Sequence, residues 1–164
     1  MLEEEYLINV ELLKKVSDLL INKKFTIGTA ESCTGGLLAN ILTNISGSSN
    51  YFKQGVITYS NDSKKDLLDV PVELLINHGA VSEQVARSMA DNMRIKSNVD
   101  IAISITGIAG PTGGTSEKPV GLVYIAVSTK DLTRVEKNIF DGDRKKIKEN
   151  SCNEALNLVY DVLR

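Results

Sequence analysis

Apolar positions recur along this chain in two periods that alternate from one end to the other. Leu12, Leu13, Val16, Leu19 and Leu20 share one face at helical spacing, and Asn9 can cap the helix they define over 9–22. Phe25 to Ala30 is short and β-rich, with Thr and Ile, and predicts a strand. Leu37, Leu38, Ile41, Leu42 and Ile45 mark a second helix from Thr34 to Ile45, closed by a turn at Gly47-Ser48-Ser49. Tyr51 to Ser60 carries Val56, Ile57 and Tyr59 and predicts another strand.

Asn61 then caps a short helix over Asp62–Leu68. Pro71 suits the first turn of the next helix, which Gly79 can end. Ser82 with Glu83 opens a longer helix to Lys96. Asp100-Ile-Ala-Ile-Ser-Ile105 is almost continuously apolar, as a strand covered on both faces should be. A Gly/Pro-rich loop follows from Thr106 to Pro119. Val120 to Thr129 predicts a buried strand, and Arg134 to Phe140 alternates like a more exposed one. Asp143 caps a last helix carrying Ile147, Ala155, Leu156, Val159 and Leu163.

Strands and helices interleave throughout. That order predicts an α/β layered sandwich, with a mixed, mostly parallel sheet covered by helices on both faces. The link from Thr129 to Arg134 is short enough for a hairpin, which is why the sheet is expected to be mixed. Residues 1–164 contain no repeat or linker and are expected to form one domain.

Composition narrows the function. The net charge is -2, which argues against a nucleic-acid or anionic-membrane partner. No apolar run reaches the roughly 18 residues of a membrane span. The start, Met1-Leu2-Glu3-Glu4-Glu5, is acidic, unlike a signal peptide. One histidine, His78, and two distant cysteines, Cys33 and Cys152, do not make a zinc site of ordinary ligand count and spacing. Two cysteines are not a disulfide framework either, so a soluble, cytoplasmic protein without a metal is expected.

Three strand ends carry chemistry, and ligands in open α/β sheets bind beyond the carboxyl ends of strands. The first is Thr29-Ala-Glu-Ser-Cys-Thr-Gly-Gly36. Ser32, Cys33 and Thr34 crowd a strand-to-helix turn, and two glycines follow, each unfavourable in a helix interior by about 1 kcal/mol relative to alanine. Such glycines fit a close-approaching ligand, and free N–H groups there can hold an anion or oxyanion. The same string also fits a plain Ser/Thr cap with a glycine packing contact. The second strand end is Thr58-Tyr-Ser-Asn-Asp-Ser-Lys-Lys65. Lys64 lies one turn into its helix and can point back to the sheet edge, or else sit in solvent as most lysines do. The third is Thr106-Gly-Ile-Ala-Gly-Pro-Thr-Gly-Gly-Thr115, a loop able to wrap N–H groups around a phosphate, or simply a mobile loop.

Arg144, at the start of the last helix, suits a ligand phosphate through its guanidinium, beside Lys145 and Lys146 that suit solvent. His78 sits at a helix end, an ordinary place for histidine. With no second histidine, a Ser32 nucleophile needs another base, and a lysine with a lowered pKa is the substitute. Cys33 is the rival nucleophile, without a histidine partner.

Taken together, Thr29–Gly36, Val56-Ile-Thr-Tyr-Ser-Asn61 with Lys64, His78-Gly-Ala-Val-Ser-Glu83, and Thr106-Gly-Ile-Ala-Gly-Pro111 with Lys118-Pro-Val-Gly121 resemble the CinA C-terminal domain family. The resemblance runs from Leu12 to Leu163. It implies hydrolysis of the carboxamide of nicotinamide mononucleotide to nicotinic acid mononucleotide and ammonia, without a cofactor, in pyridine nucleotide recycling. It implies Ser32 as nucleophile, activated by Lys64 and Tyr59. The chain has no room for the extra N-terminal domain of some members, so the stand-alone form is expected. Relatives often have serine where this chain has Thr106. Cys33, Thr34 and Gly35 are the expected oxyanion donors. Thr106, Gly107, Ala109, Gly110 and Arg144 are the expected contacts to the rest of the substrate. A homo-oligomer with sites near its interface is expected. A non-catalytic nucleotide-binding module linked to competence or DNA damage is the alternative.

Overall fold

The structure, a computed structural model, describes residues 5–164; the acidic start of the chain, residues 1–4, lies outside them. Helix α1 spans Val10–Lys23, and the Asn9 side chain accepts the Leu12 N–H at 3.0 Å, as its capping position predicts. Strand β1 (Ile27–Glu31) leads into α2 (Leu37–Thr43), and β2 (Phe52–Ile57) into α3 (Asn61–Leu68). Helices α4 (Val72–His78) and α5 (Glu83–Ser97) then carry the chain to β3 (Ile101–Gly107). Strands β4 (Leu122–Ser128) and β5 (Thr133–Ile139) form the expected hairpin, and α6 (Arg144–Leu163) closes the chain.

The five strands lie in the order β2-β1-β3-β4-β5. The β1 ladders to β2 and β3 are parallel, while β4 runs antiparallel to both its neighbours. Four strands therefore point one way and β4 alone is reversed, a mixed and mostly parallel sheet. The helices divide between its faces. Ile101, Ile103 and Ile105 of β3 join Val123, Ile125 and Val127 of β4 under α1, α2 and α6. The intervening residues are small: Ala30, Ala102 and Ala126 face α5, which answers with Ala86, Met89, Ala90 and Met93. Small residues on both sides bring α5 close, and the Ser104 hydroxyl reaches the Ala86 carbonyl at 2.6 Å.

Boundaries differ from the sequence reading where the backbone turns. Helix α2 begins at Leu37 rather than Thr34, because Gly35 and Gly36 adopt φ of 61° and 99°. Ser60, not Asn61, caps α3, and its side chain and that of Ser63 exchange bonds with each other's N–H. Pro71 stands just before α4 as its cap. Thr106 and Gly107 belong to β3 rather than to the loop, since β4 pairs with them as far as Val123.

The chain leaves β1 through α2 on one face and returns from β2 to β3 through α3, α4 and α5 on the other. The carboxyl ends of β2, β1 and β3 therefore lie side by side at the point where the winding reverses, the crevice where such sheets bind ligands.

Candidate active site

Strand β1 is buried along its whole length, and Ser32 is the first residue beyond it. The Ser32 N–H donates to the Ile105 carbonyl at 2.9 Å, which ties this residue to central strand β3. The Gly35 N–H returns to the Ser32 carbonyl at 3.0 Å. The left-handed backbone at Gly35 and Gly36 then swings the chain into α2, a conformation in which a Cβ is unfavourable. The glycines thus serve the turn itself.

The expected anion site at this helix start is partly corrected. The Leu38 and Ala39 N–H groups donate to the Glu31 carboxylate at 2.9 and 3.0 Å, so the chain's own acid occupies the first turn of α2. Gly35, expected as an oxyanion donor, has its N–H closed on Ser32. The Thr34 N–H meets no acceptor among the described residues, and the Cys33 N–H meets only its own sulfur.

Helix α3 is polar, yet Lys64 and Leu68 fall one turn apart on its inward face, and both are buried. Lys64 is 1% exposed and Ser32 7%. The Lys64 Nζ donates to the Thr58 carbonyl at 2.7 Å and to the Ser32 Oγ at 3.0 Å, with the Tyr59 carbonyl at 3.4 Å. Burial holds its pKa down, from 10.5 to about 8. The solvated-lysine alternative is excluded here; adjacent Lys65 has that role.

Burial pushes the Cys33 thiol up to about 12, and the charge of Glu31 adds to the effect. Cys33 is therefore an inert thiol at neutral pH, and the rival nucleophile falls away. Cys152, buried beneath it, is raised well above the ordinary range for the same first reason.

Tyr59, Arg144 and Gly110 form a second group at the mouth of the crevice. The Arg144 guanidinium donates to the Tyr59 hydroxyl at 2.9 Å and to the Gly110 carbonyl at 2.8 Å. Tyr59 is 58% exposed, and only its backbone carbonyl approaches Lys64. Of the two routes left open for the serine proton, directly to Lys64 or through Tyr59, the hydrogen bond present is the direct one; the Tyr59 hydroxyl bonds Arg144.

Three other expected contacts have packing roles. The Thr106 hydroxyl donates to the Ala80 carbonyl at 2.9 Å, strapping β3 to the loop after α4. A Cβ on Gly107 would stand 2.6 Å from a Val123 methyl, so glycine is there for the β3–β4 contact. Ala109 is buried in the core under α6. His78 ends α4 in solvent, its carbonyl accepting from Lys118 Nζ at 2.5 Å. No three His, Cys, Asp or Glu side chains converge among the described residues, so this site offers no metal cage. A groove of about 710 Å³ along α5, lined by Asp69, Leu74, Arg87 and Asp91 among others, holds none of the expected residues.

Sequence reasoning missed Glu31 and the Thr58 carbonyl. Glu31 had a signal: it is an acid in the middle of a buried run, where a carboxylate needs partners. The carbonyl had none, since every residue carries one.

The fold and this pair define a three-layer α/β domain with a buried hydroxyl–amine dyad at its switch point. The family model for the CinA C-terminal domain matches residues 9–163, and the chain belongs to that family. A CinA-like protein of Koribacter versatilis is 57% identical over 134 residues, 82% of this chain and 32% of its own length. One from Leptospira biflexa is 45% identical over 166 residues, 99% of this chain and 40% of its own length. The chain thus spans about two-fifths or less of the curated relatives it matches. The solved competence/damage inducible protein CihA of Agrobacterium tumefaciens superposes with a TM-score of 0.94 at 36% identity, over 98% of this chain and 99% of that one. A CinA superfamily protein of Escherichia coli gives 0.86 at 30% identity, over 97% of this chain and 94% of its own. No helix among the described residues is long and apolar enough to cross a membrane.

Proposed function

We propose that this chain hydrolyses the carboxamide of nicotinamide mononucleotide, releasing ammonia and nicotinic acid mononucleotide. The observation that carries the reading is the 3.0 Å contact between a buried Ser32 hydroxyl and a buried amine whose pKa is lowered to about 8. A lysine in that range is a usable general base near neutral pH. Its cost in folding has a purpose if it takes the serine proton.

The Ser32 Oγ attacks the carboxamide carbon while Lys64 Nζ accepts its proton. Charge developing on the carboxamide oxygen meets the Thr34 N–H, which has no internal acceptor among the described residues, and the Cys33 N–H beside it. Lys64 then gives its proton to the departing nitrogen, and ammonia leaves an acyl-serine. Water attacks that ester, again losing its proton to Lys64, and Ser32 is restored as the carboxylate leaves.

Arg144 is the candidate for the substrate phosphate. A cation at the first residue of α6 is unfavourable against the helix dipole, and an anion docked there reverses the sign. Its guanidinium can exchange the Tyr59 and Gly110 acceptors for phosphate oxygens.

The test is direct. Incubation with nicotinamide mononucleotide should release ammonia and the acid nucleotide in equal amounts, and Ser32→Ala should release none. No ammonia above the Ser32→Ala background would overturn the reading and leave the non-catalytic nucleotide-binding module in its place.

A further inference from the structure

Glu31 belongs to neither half of the dyad, yet it touches the supports of both. Its carboxylate is 1% exposed and takes three donors: the Thr34 hydroxyl at 2.7 Å, the Leu38 N–H at 2.9 Å and the Ala39 N–H at 3.0 Å. No Lys or Arg among the described residues lies within ion-pair distance of it. A carboxylate placed there without a cation is an expensive way to cap a helix of seven residues. An Asn or Ser cap in the loop would do the same in partial exposure.

The location explains the choice. Glu31 immediately precedes Ser32, and its side chain grips the far side of the turn that Ser32 begins. It thus spans Ser32–Gly36 and holds Thr34, whose N–H has no internal acceptor among the described residues. Its backbone does a matching thing on the other side. The Glu31 carbonyl accepts the Thr58 N–H at 2.8 Å, and the Thr58 carbonyl in turn holds Lys64 Nζ at 2.7 Å. One residue therefore registers the nucleophile's turn against α2 and the lysine's cradle against β1.

We infer that Glu31 is a positioning residue, which sets the Ser32 turn and its N–H groups through Thr34 and the first turn of α2. The inference rests on Ser32 acting as a nucleophile, and its test does not depend on the substrate. A fluorophosphonate reports Ser32 reactivity directly, and ammonia release from nicotinamide mononucleotide reports turnover separately.

Glu31→Gln keeps the shape but turns one acceptor into a donor facing donors, since all three partners donate. In folded protein, fluorophosphonate labelling of Ser32 should slow by about 10- to 100-fold, the effect of a small misplacement of a reacting group. Turnover should lose a similar factor in kcat, with KM within about threefold. The midpoint of the pH–rate profile should match the wild-type one, because Glu31 does not touch Nζ. Should Glu31→Gln fail to fold, Thr34→Val and Thr34→Ser decide the matter: valine should slow labelling and serine should restore it. Wild-type labelling rates in folded Glu31→Gln, or in Thr34→Val, would overturn the inference. So would a shifted pH midpoint, which would mean that Glu31 acts on Lys64 by charge. If wild-type Ser32 is labelled, and slowed as described in Glu31→Gln, but no ammonia is released, the substrate reading fails and the positioning role stands.

Discussion

The Lys64 ammonium lies 3.0 Å from the Ser32 hydroxyl with nearly all water excluded from both side chains. Its pKa of about 8 sets the pH at which the amine becomes a base. Only the neutral amine can take the serine proton. Below the midpoint, kcat/KM should fall about tenfold per pH unit, reaching about a hundredth of its plateau at pH 6. Initial rates of ammonia release between pH 6 and 9 check this. A flat profile over that range would contradict lysine as the base.

The same burial predicts a stability trend opposite to that of a salt-bridged lysine. Lys64 titrates near 10.5 unfolded and near 8 folded. Between those values the unfolded chain binds more protons, so stability rises with pH across pH 8 to 10.5. Below pH 8 the whole penalty is present, on the order of 3 kcal/mol. Lys64→Met removes this term. Its denaturation midpoint, minus that of the wild type, should change across that window by the equivalent of that amount. An unchanged difference would mean that Lys64 is not desolvated.

Ser32→Ala should abolish ammonia release and retain the fold, because the Ser32 N–H bond to Ile105 is a backbone bond. Cys33→Ser should keep activity within about tenfold, because the adjacent thiol is held protonated and packs rather than reacts. Iodoacetamide at neutral pH should likewise leave turnover intact. Loss of activity on alkylation of Cys33 would reopen the rival nucleophile.

The layered fold is legible in the sequence because its signals are long. Ile101 to Ile105 and Leu122 to Ser128 are continuous buried runs, and caps such as Asn9, Ser82 and Asp143 stand where the helices start. The site is legible only in part. Ser32 and Lys64 can be picked out by type and by position at strand ends. What brings them together is the β2–β1–β3 order, which is a long-range pairing that no local pattern encodes. Tyr59 shows the limit. The family resemblance implies that it joins Lys64 in activating Ser32. The end of β2 instead turns its ring outward to Arg144, a residue 85 positions away. Thr106 and Gly107 show another limit: a hydroxyl and a glycine look like ligand contacts until their partners, Ala80 and Val123, are known.

Gly121→Ala should be among the most damaging single substitutions outside the site. Its φ is +93°, and an added Cβ would lie 2.0 Å from the Phe140 carbonyl oxygen. The clash is with backbone at the open end of the β4–β5 ladder, where Phe140 N–H also bonds the Gly121 carbonyl at 2.9 Å. Relief requires parting that end of the hairpin. A loss of at least about 2 kcal/mol is expected in urea unfolding, from left-handed strain and overpacking together. A change below about 0.5 kcal/mol would show that this hairpin end yields freely.

Arg144 separates binding from chemistry. It stands on α6, contacts neither Ser32 nor Lys64, and holds Tyr59 and Gly110 from opposite walls of the crevice. If its charge receives the substrate phosphate, Arg144→Lys keeps a cation but loses the planar pair of donors. KM for nicotinamide mononucleotide should then rise about tenfold, with kcat within about threefold. Tyr59→Phe removes an acceptor that competes with phosphate for the same guanidinium, so its effect on KM should be small or favourable. The decisive comparison is nicotinamide riboside, which lacks the phosphate. Its turnover should be equally poor with Arg144 or Lys at this position. An equal loss of kcat/KM for both substrates would mean that Arg144 supports the site's walls rather than a phosphate.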